Sequence, residues 1–465
     1  MSIDFNRVLQ DPSLWENISH DNNNLLGHGN PDFLYGVGTS MYQDSGAMHC
    51  PDSQWSAWEK QHLSPPEQSG ASADLFALYK NDPLAIIEKL KLLGVNTYRF
   101  SLEWSHLEPA QGMFDREKLQ SYLKFCRLLR DHHIQPFITL HHFSEPDWFH
   151  QLGSFEKTEN IAHFRDFCRV VFEELIQTYQ GKPLVQFFCT INEPGVDAYG
   201  RYLIGYFPPN LRGRVGRSAR FLMNMLHAHC QVYDDLKSIA GRDASNIKIG
   251  INHQYLQFYP TNFLMRPAAK LLNKFNVAVL NFFKTGRFEF KIPFICNVIA
   301  DSVSKPKTDF VGVQFYARIF LGFKGAVAVN KPATSMLGVY EDPEGLYEAI
   351  VTCFEAFNVP VIISENGIST QSDEQRARYL SRAFYAAEQA QLKIGADNMW
   401  GYILWSFTDN FEWFLGWTAH FGAFGLTSNR ELNENYKLGT TPFVEKIKAW
   451  SDTLTTDKIA TVSAE

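Results

Sequence analysis

Cysteine is scarce in this chain and poorly placed for cross-linking. Seven are spread over 465 residues: Cys50, Cys126, Cys168, Cys189, Cys230, Cys296 and Cys353, an odd number with no CxxC pair. That spacing argues against a disulfide framework and a structural zinc site, and makes reduced, mostly buried thiols the expectation. Long apolar runs are also missing, so no segment reads as a membrane span. Residues 1–30 are polar and lack the basic-then-apolar pattern of a signal peptide, which makes the cytosol the expected address. No block of one charge stands out. The net charge of −7 comes from acidic and basic residues mixed along the chain, so nucleic acid and charged membrane are not expected partners. No His/Cys/carboxylate cluster has ligand spacing suited to zinc or a hard cation. No GxGxxG follows a first strand, which weakens the dinucleotide-binding alternative. No metal or organic cofactor is therefore expected.

What is present is enough apolar material, 45% of residues, for a large core, while 20% charged residues exclude global disorder. One pattern repeats. A short apolar or β-branched run leads into polar, chemistry-bearing residues and then into a helical stretch. The runs span residues 33–40, 96–104, 135–143, 185–194, 246–254, 308–317, 360–367 and 399–407. Helical periodicity follows in 83–94, ending at Gly94 as a C-cap, and in 116–133, 160–181 and 374–395. Strand–helix alternation predicts a parallel sheet, and eight repeats predict closure into an α/β (β/α)8 TIM barrel. Such barrels grow by loop insertion as one unit. Residues 1–465 are accordingly expected to form a single domain, with 325–342 an insertion between strands six and seven and the polar 453–465 a disordered tail.

Catalytic residues of a barrel sit at the carboxyl ends of its strands. There the sequence places Gln43 after strand one, Arg99 in strand two and His141-His142 at the end of strand three. Asn192-Glu193 ends strand four, Gln314 and Tyr316 end strand six, and Glu365-Asn366 ends strand seven. Trp405 leads on to Glu412-Trp413 after strand eight. Two glutamates thus face each other across the barrel mouth. Paired carboxyls cleave glycosides when one protonates the leaving oxygen and the other attacks the anomeric carbon. The acid needs a raised pKa and the nucleophile a low one. Arg99 is placed to keep Glu365 ionised, and Tyr316 to donate a hydrogen bond to it. Aromatics make up 14% of the chain. Most serve the core, and the rest are available to stack on sugar rings.

The motifs themselves resemble glycoside hydrolase family 1, the β-glucosidase family, over nearly the whole length. Thr190-Ile191-Asn192-Glu193-Pro194 is similar to the family's acid/base motif and Ile363-Ser364-Glu365-Asn366-Gly367 to its nucleophile motif. Tyr98-Arg99-Phe100-Ser101 with Trp104 resembles the second strand. Trp405-Ser406 and Asp409-Asn410-Phe411-Glu412-Trp413 resemble the eighth strand and its loop. The resemblance implies a retaining β-glycosidase acting on terminal β-D-glucosyl residues, with β-galactosides or β-fucosides secondary and a small glycoside or oligosaccharide as its partner. It implies Glu193 as acid/base and Glu365 as nucleophile. Gln43, His142, Asn192, Glu412 and Trp413 would bind ring hydroxyls, with Asn192 on the 2-hydroxyl and Trp405 as the floor.

Two rival readings make different demands on the sequence. A non-catalytic sugar-binding relative would lose one or both glutamates, and this chain keeps both. A 6-phospho-β-glycosidase would carry a small residue in place of Glu412 and a Ser/Lys/Tyr cluster nearby. The chain departs from the family pattern at Gln314 (usually Asn), Phe143 (often Trp), His106 (usually Arg) and Val339 (often the aglycone-platform Trp). Those departures bear on the leaving group. His141 and His142, adjacent on a strand, should point to opposite faces and so make no metal pair. His229 is expected to be a packed histidine, His132-His133 a helix end, and Asn366 and Gly367 the turn after the nucleophile.

Overall fold

In a computed structural model, which describes residues 25–302, 306–323, 325–326, 341–426 and 441–462, all eight runs become strands of one barrel. They are β1 (Leu34–Gly38), β2 (Thr97–Ser101), β3 (Gln135–His141), β4 (Phe187–Asn192), β5 (Lys248–Gln254), β6 (Phe310–Phe315), β7 (Val361–Asn366) and β8 (Met399–Trp405). Every neighbouring pair is parallel, and β1 closes the ring on β8. Nearly every strand residue is buried, as expected for strands packed on both faces.

The outer ring holds α1 (Pro83–Leu93), α2 (Arg116–Asp131), α3 (Ile161–Leu175), α4 (Val215–Ala240), α5 (Lys274–Thr285), α6 (Gly345–Phe357), α7 (Asp373–Ile394) and α8 (Pro442–Val462). Local chemistry sets their ends. Pro83 opens α1, and Gly94 closes it at φ 70°. The Asp115 and Ser372 side chains accept from the backbone N–H of Lys118 and Gln375, capping α2 and α7. His132-His133 does end α2, with His133 at φ 59°.

Two boundaries differ from expectation. The helix predicted over 160–181 stops at Leu175, because Thr178–Tyr179 and Lys182–Pro183 pair as a small hairpin around Gly181 at φ 78°. Of the polar stretch expected as a tail from Thr453, the described part up to Val462 instead continues α8, whose Trp450 and Leu454 are buried. Val339 and nearly all of the insertion expected over 325–342 lie outside the described residues. All seven cysteines are free thiols, and six are buried. No described helix is long and apolar enough to cross a membrane.

The barrel interior changes character along its axis. Its lower layer is apolar: Leu34, Phe137, Cys189, Phe310, Ile362 and Ile403 pack together. Above it the inward positions turn polar, with Arg99, Thr139, Asn192, Asn252 and Gln314 all fully buried. Gly312 makes room for this layer, since a Cβ there would collide with Asn252 Oδ1 and Ser364 Oγ.

Two bulges decide which side chains reach the mouth. Along β4, Cys189 pairs with Gly250 and Asn192 with Asn252, so Thr190 and Ile191 together oppose Ile251. Strict alternation from inward-facing Cys189 would bring Ile191 inside. The extra residue sends Ile191 to the outer core and brings Asn192 in. Along β7, Ile363 pairs with Val313 and Glu365 with Gln314, so Ser364 is the extra residue. Asn366 is thereby turned outward, bonding Tyr379 and Tyr402 in the outer core, and Glu365 faces the cavity.

Candidate active site

Glu193 follows the β4 bulge directly and sits at φ 45°, ψ 60°, a left-handed conformation that costs a non-glycine residue about 1–3 kcal/mol. Its N–H donates to Asn252 O at 3.1 Å, and Pro194 starts the short helix Pro194–Tyr199 behind it. Glu193 is only 6% exposed, and its Oε1 has no hydrogen-bond partner among the described residues.

Glu365 is held on both oxygens. Arg99 Nη1 reaches Oε1 at 2.6 Å, and the Tyr316 hydroxyl donates to Oε2 at 2.6 Å. Arg99 is completely buried and every arm is used: Nη1 also donates to Ser364 O, Nε to Thr139 Oγ1, and Nη2 to Asn192 Oδ1 at 2.7 Å. Asn192 Oδ1 collects two further donors, Gln314 Nε2 at 2.8 Å and Asn252 Nδ2 at 3.1 Å. Three donors on one oxygen fix the amide's orientation, leaving Nδ2 as the group Asn192 can offer elsewhere. That Nδ2 lies 3.1 Å from His142 Nε2. Burial and the nearby Arg99 charge keep His142 neutral. Its Nε2 must then accept, and Nδ1 carries the proton, with no partner among the described residues.

A cavity of about 240 Å³ opens at the carboxyl ends of the strands. Glu193, Glu365 and Tyr316 line its centre, and Gln43, His142, Trp405, Glu412 and Trp413 one side. Arg99 and Asn192 are buried beneath rather than on its surface. Gln43 Nε2 donates to Glu412 Oε2 at 3.0 Å, while Gln43 Oε1 is unpartnered among the described residues. Trp413 is wedged among Tyr42, Trp55, Phe143 and Phe207. Trp405 packs with Ala419, Phe421 and Tyr316.

Three carboxyls line this cavity, with Arg99 buried beneath it, and burial raises all three. Glu193 is pushed furthest, first by burial and then by the Glu365 charge, with Arg99 only partly opposing. Burial also raises Glu365, against the pull of Arg99 and Tyr316. A low nucleophile pKa was expected. Arg99 and Tyr316 act in that direction but do not outweigh burial, and Glu193 remains the stronger base of the two. Glu412 is raised to about 8 by burial and the Glu365 charge, against its bond from Gln43. It therefore holds its proton to a higher pH than an ordinary carboxyl does.

The other singled-out residues fall outside the cavity or at its edge. His141 points away from His142 and packs against Phe155 and Phe164. His229 meets Thr190 Oγ1 and Lys307 O. His106 is buried between Phe76 and Tyr122. Phe143 lines the cavity, and its carbonyl accepts from Arg201 and Gln54. Nothing on strand five was singled out from sequence, yet Asn252 orients Asn192 and Gln254 lines the cavity. Their position at a strand end was the available signal. Among the described residues, no group of three or more His, Cys, Asp or Glu side chains is arranged to hold a metal ion.

A pair of carboxyls at one barrel mouth is what retaining hydrolysis of a glycoside uses, and fold and site together assign the protein to the retaining O-glycosyl hydrolases. The chain belongs to glycosyl hydrolase family 1, whose sequence pattern matches residues 29–291 and 315–440. It is 27% identical over 455 residues to a 6-phospho-β-galactosidase of Streptococcus mutans, covering 84% of this chain and 92% of that one. It is 28% identical over 420 residues to β-glucosidase A of Thermotoga maritima, covering 84% and 91%. In three dimensions it is similar to a β-glycosidase from Pyrococcus horikoshii, with a TM-score of 0.75 and 27% identity over 90% of this chain and 94% of that one.

Proposed function

We propose that the protein hydrolyses terminal, non-reducing, unphosphorylated β-D-glucosyl residues, with β-galactosyl or β-fucosyl residues as secondary substrates. Glu193 is the acid/base and Glu365 the nucleophile. The asymmetry between the two carboxyls carries this assignment: Glu365 is gripped by Arg99 and Tyr316, whereas Glu193 is buried without a cation and holds its proton to higher pH. Glu365 attacks the anomeric carbon as Glu193 protonates the departing oxygen. The ester formed carries no charge, so the second cause of Glu193's raised pKa disappears. Glu193 then accepts a proton from the water that releases the sugar. His142 Nδ1 and Gln43 Oε1 offer a donor and an acceptor for ring hydroxyls, Asn192 Nδ2 lies just beneath them on His142 and is assigned the 2-hydroxyl, Glu412 and Trp413 reach the outer hydroxyls, and Trp405 is the floor. We place the enzyme in the cytosol, on the support of seven unpaired thiols.

The two relatives in sequence differ over a 6-phosphate, and about 27% identity does not decide between them. The cavity lining speaks against phosphate: no Lys or Arg is among the described residues lining it, while a phosphate monoester carries about −1.5 to −2 charge at neutral pH. Comparing kcat/KM for p-nitrophenyl β-glucoside and its 6-phosphate tests the reading. The plain glucoside should be strongly preferred, and a preference for the phosphate would overturn it.

A further inference from the structure

The cavity has two unlike sides, divided by the glutamate pair. Gln43, His142, Trp405, Glu412 and Trp413 belong to the ends of β1, β3 and β8. Across the ring, the segments after β4, β5 and β6 supply Val196, Leu256, Ala317 and Ile319. Among the described residues this second wall has no charged side chain, and Gln254 is its one amide. Phe207, from the segment after β4, and Phe414, from the segment after β8, also line the cavity, and Tyr206 stacks on Phe414 at the rim, with centroids 4.5 Å apart and planes at 26°. Both rim rings stay substantially exposed, Tyr206 at 43% and Phe414 at 37%.

An acid that protonates the leaving oxygen must lie on the leaving group's side of the scissile bond. Glu193 follows β4, and Val196 is one turn further along the same short helix. The apolar wall is therefore where the leaving group lies. A second sugar placed there would lose water from several hydroxyls, with one amide among the described residues to replace it, and each unsatisfied group weakens binding roughly five- to a hundredfold. An alkyl chain or aromatic ring would instead gain from every carbon covered.

We propose that the substrates are β-glucosides of apolar alcohols or phenols, not glucose disaccharides or longer glucans, and that Val196, Leu256 and Ile319 set this selectivity. The inference rests on the function proposed above. The test measures kcat/KM for methyl, butyl and hexyl β-glucosides and for cellobiose. All have alcohol leaving groups, so chemical reactivity is similar across the series. From methyl to hexyl, each added methylene should raise kcat/KM roughly two- to fourfold, and hexyl glucoside should exceed cellobiose at least about tenfold. Leu256→Ser should flatten the methyl-to-hexyl slope, whereas a folding defect would scale all substrates alike and leave the slope intact. A flat series in the native enzyme, or cellobiose matching hexyl glucoside, would overturn the proposal. p-Nitrophenyl β-glucoside separates the two levels. If it is cleaved but cellobiose wins, only this inference fails. If it is not cleaved, the proposed function fails and the inference with it.

Discussion

Two buried clusters meet at the His142–Phe143 turn, and each sets one arginine between two carboxyls. Arg99 stands with Glu365 and Glu193, Arg201 with Glu145 and Asp197. Both arginines are essentially inaccessible to solvent, and Glu193 and Asp197 are only one helical turn apart. Their bonding differs. Arg201 binds both of its carboxyls, Asp197 at 2.6 Å and Glu145 at 2.7 Å, and its third arm holds Phe143 O. His150 and Ser154 complete Glu145. Arg99 binds only Glu365 and gives its other arm to Asn192, leaving Glu193 uncompensated at the cavity. The lesson is that reactivity here comes from withholding the arginine from one carboxyl: similar ingredients, with both carboxyls bound to the arginine, make a structural joint.

Breaking the reactive cluster should give the largest effects. Glu365→Ala removes the nucleophile and should abolish turnover even of dinitrophenyl β-glucoside. Glu193→Ala should cost roughly 10²–10⁴-fold with poor leaving groups, while the dinitrophenyl substrate still forms the covalent intermediate. Added azide should then yield a β-glycosyl azide by NMR, and an α-azide would reverse the assignment. Glu193→Ala removes a carboxyl buried beside like charge and should not unfold more readily than the native enzyme, whereas Glu365→Ala leaves the buried Arg99 without its anion and should be less stable.

The opposite pattern should hold at the joint. Arg201→Met strands Glu145 and Asp197 without their cation and should cost about 3–5 kcal/mol in urea unfolding. An unchanged midpoint would mean that the cluster is not structural. A smaller, pH-dependent effect sharpens the contrast. Burial alone would raise Glu145, but Arg201 and His150 more than reverse this and hold it at about 2. A carboxyl depressed by folding stabilises the protein above its ordinary value near 4.5, and this contribution fades as pH falls toward 2. The stability gap between native enzyme and Glu145→Gln should therefore be level above pH ~4.5 and narrow by roughly 1–2 kcal/mol by pH ~3. A gap that widened on acidification would contradict the pairing.

The barrel was legible in the sequence because a strand buried on both faces writes itself as a short run of branched and aromatic residues, and all eight runs pair as such. Helix ends were less legible. Nothing in the periodicity of 160–181 marks the point where Thr178 and Tyr179 leave the helix for a hairpin. At the site, residues inside long motifs could be named, but Asn252 could not, since a single Asn at a strand end looks like many others. The ionisation of Glu412 was out of reach for a different reason. It depends on burial and on the distance to Glu365, and neither is a property of a motif.

The two bulges bear on how such an enzyme can change. Each advances the pleat by one step just before its glutamate, so the inward face of β4 and of β7 switches parity there. If β7 paired without its bulge, with Ser364 taken into the ladder, even alternation would turn Glu365 toward the helices, with every loop of the mouth untouched. Length changes in the loops carry no such consequence for the pair. The chemistry is thus encoded in strand phase, and the loops that choose sugar and leaving group are free to drift without disturbing it.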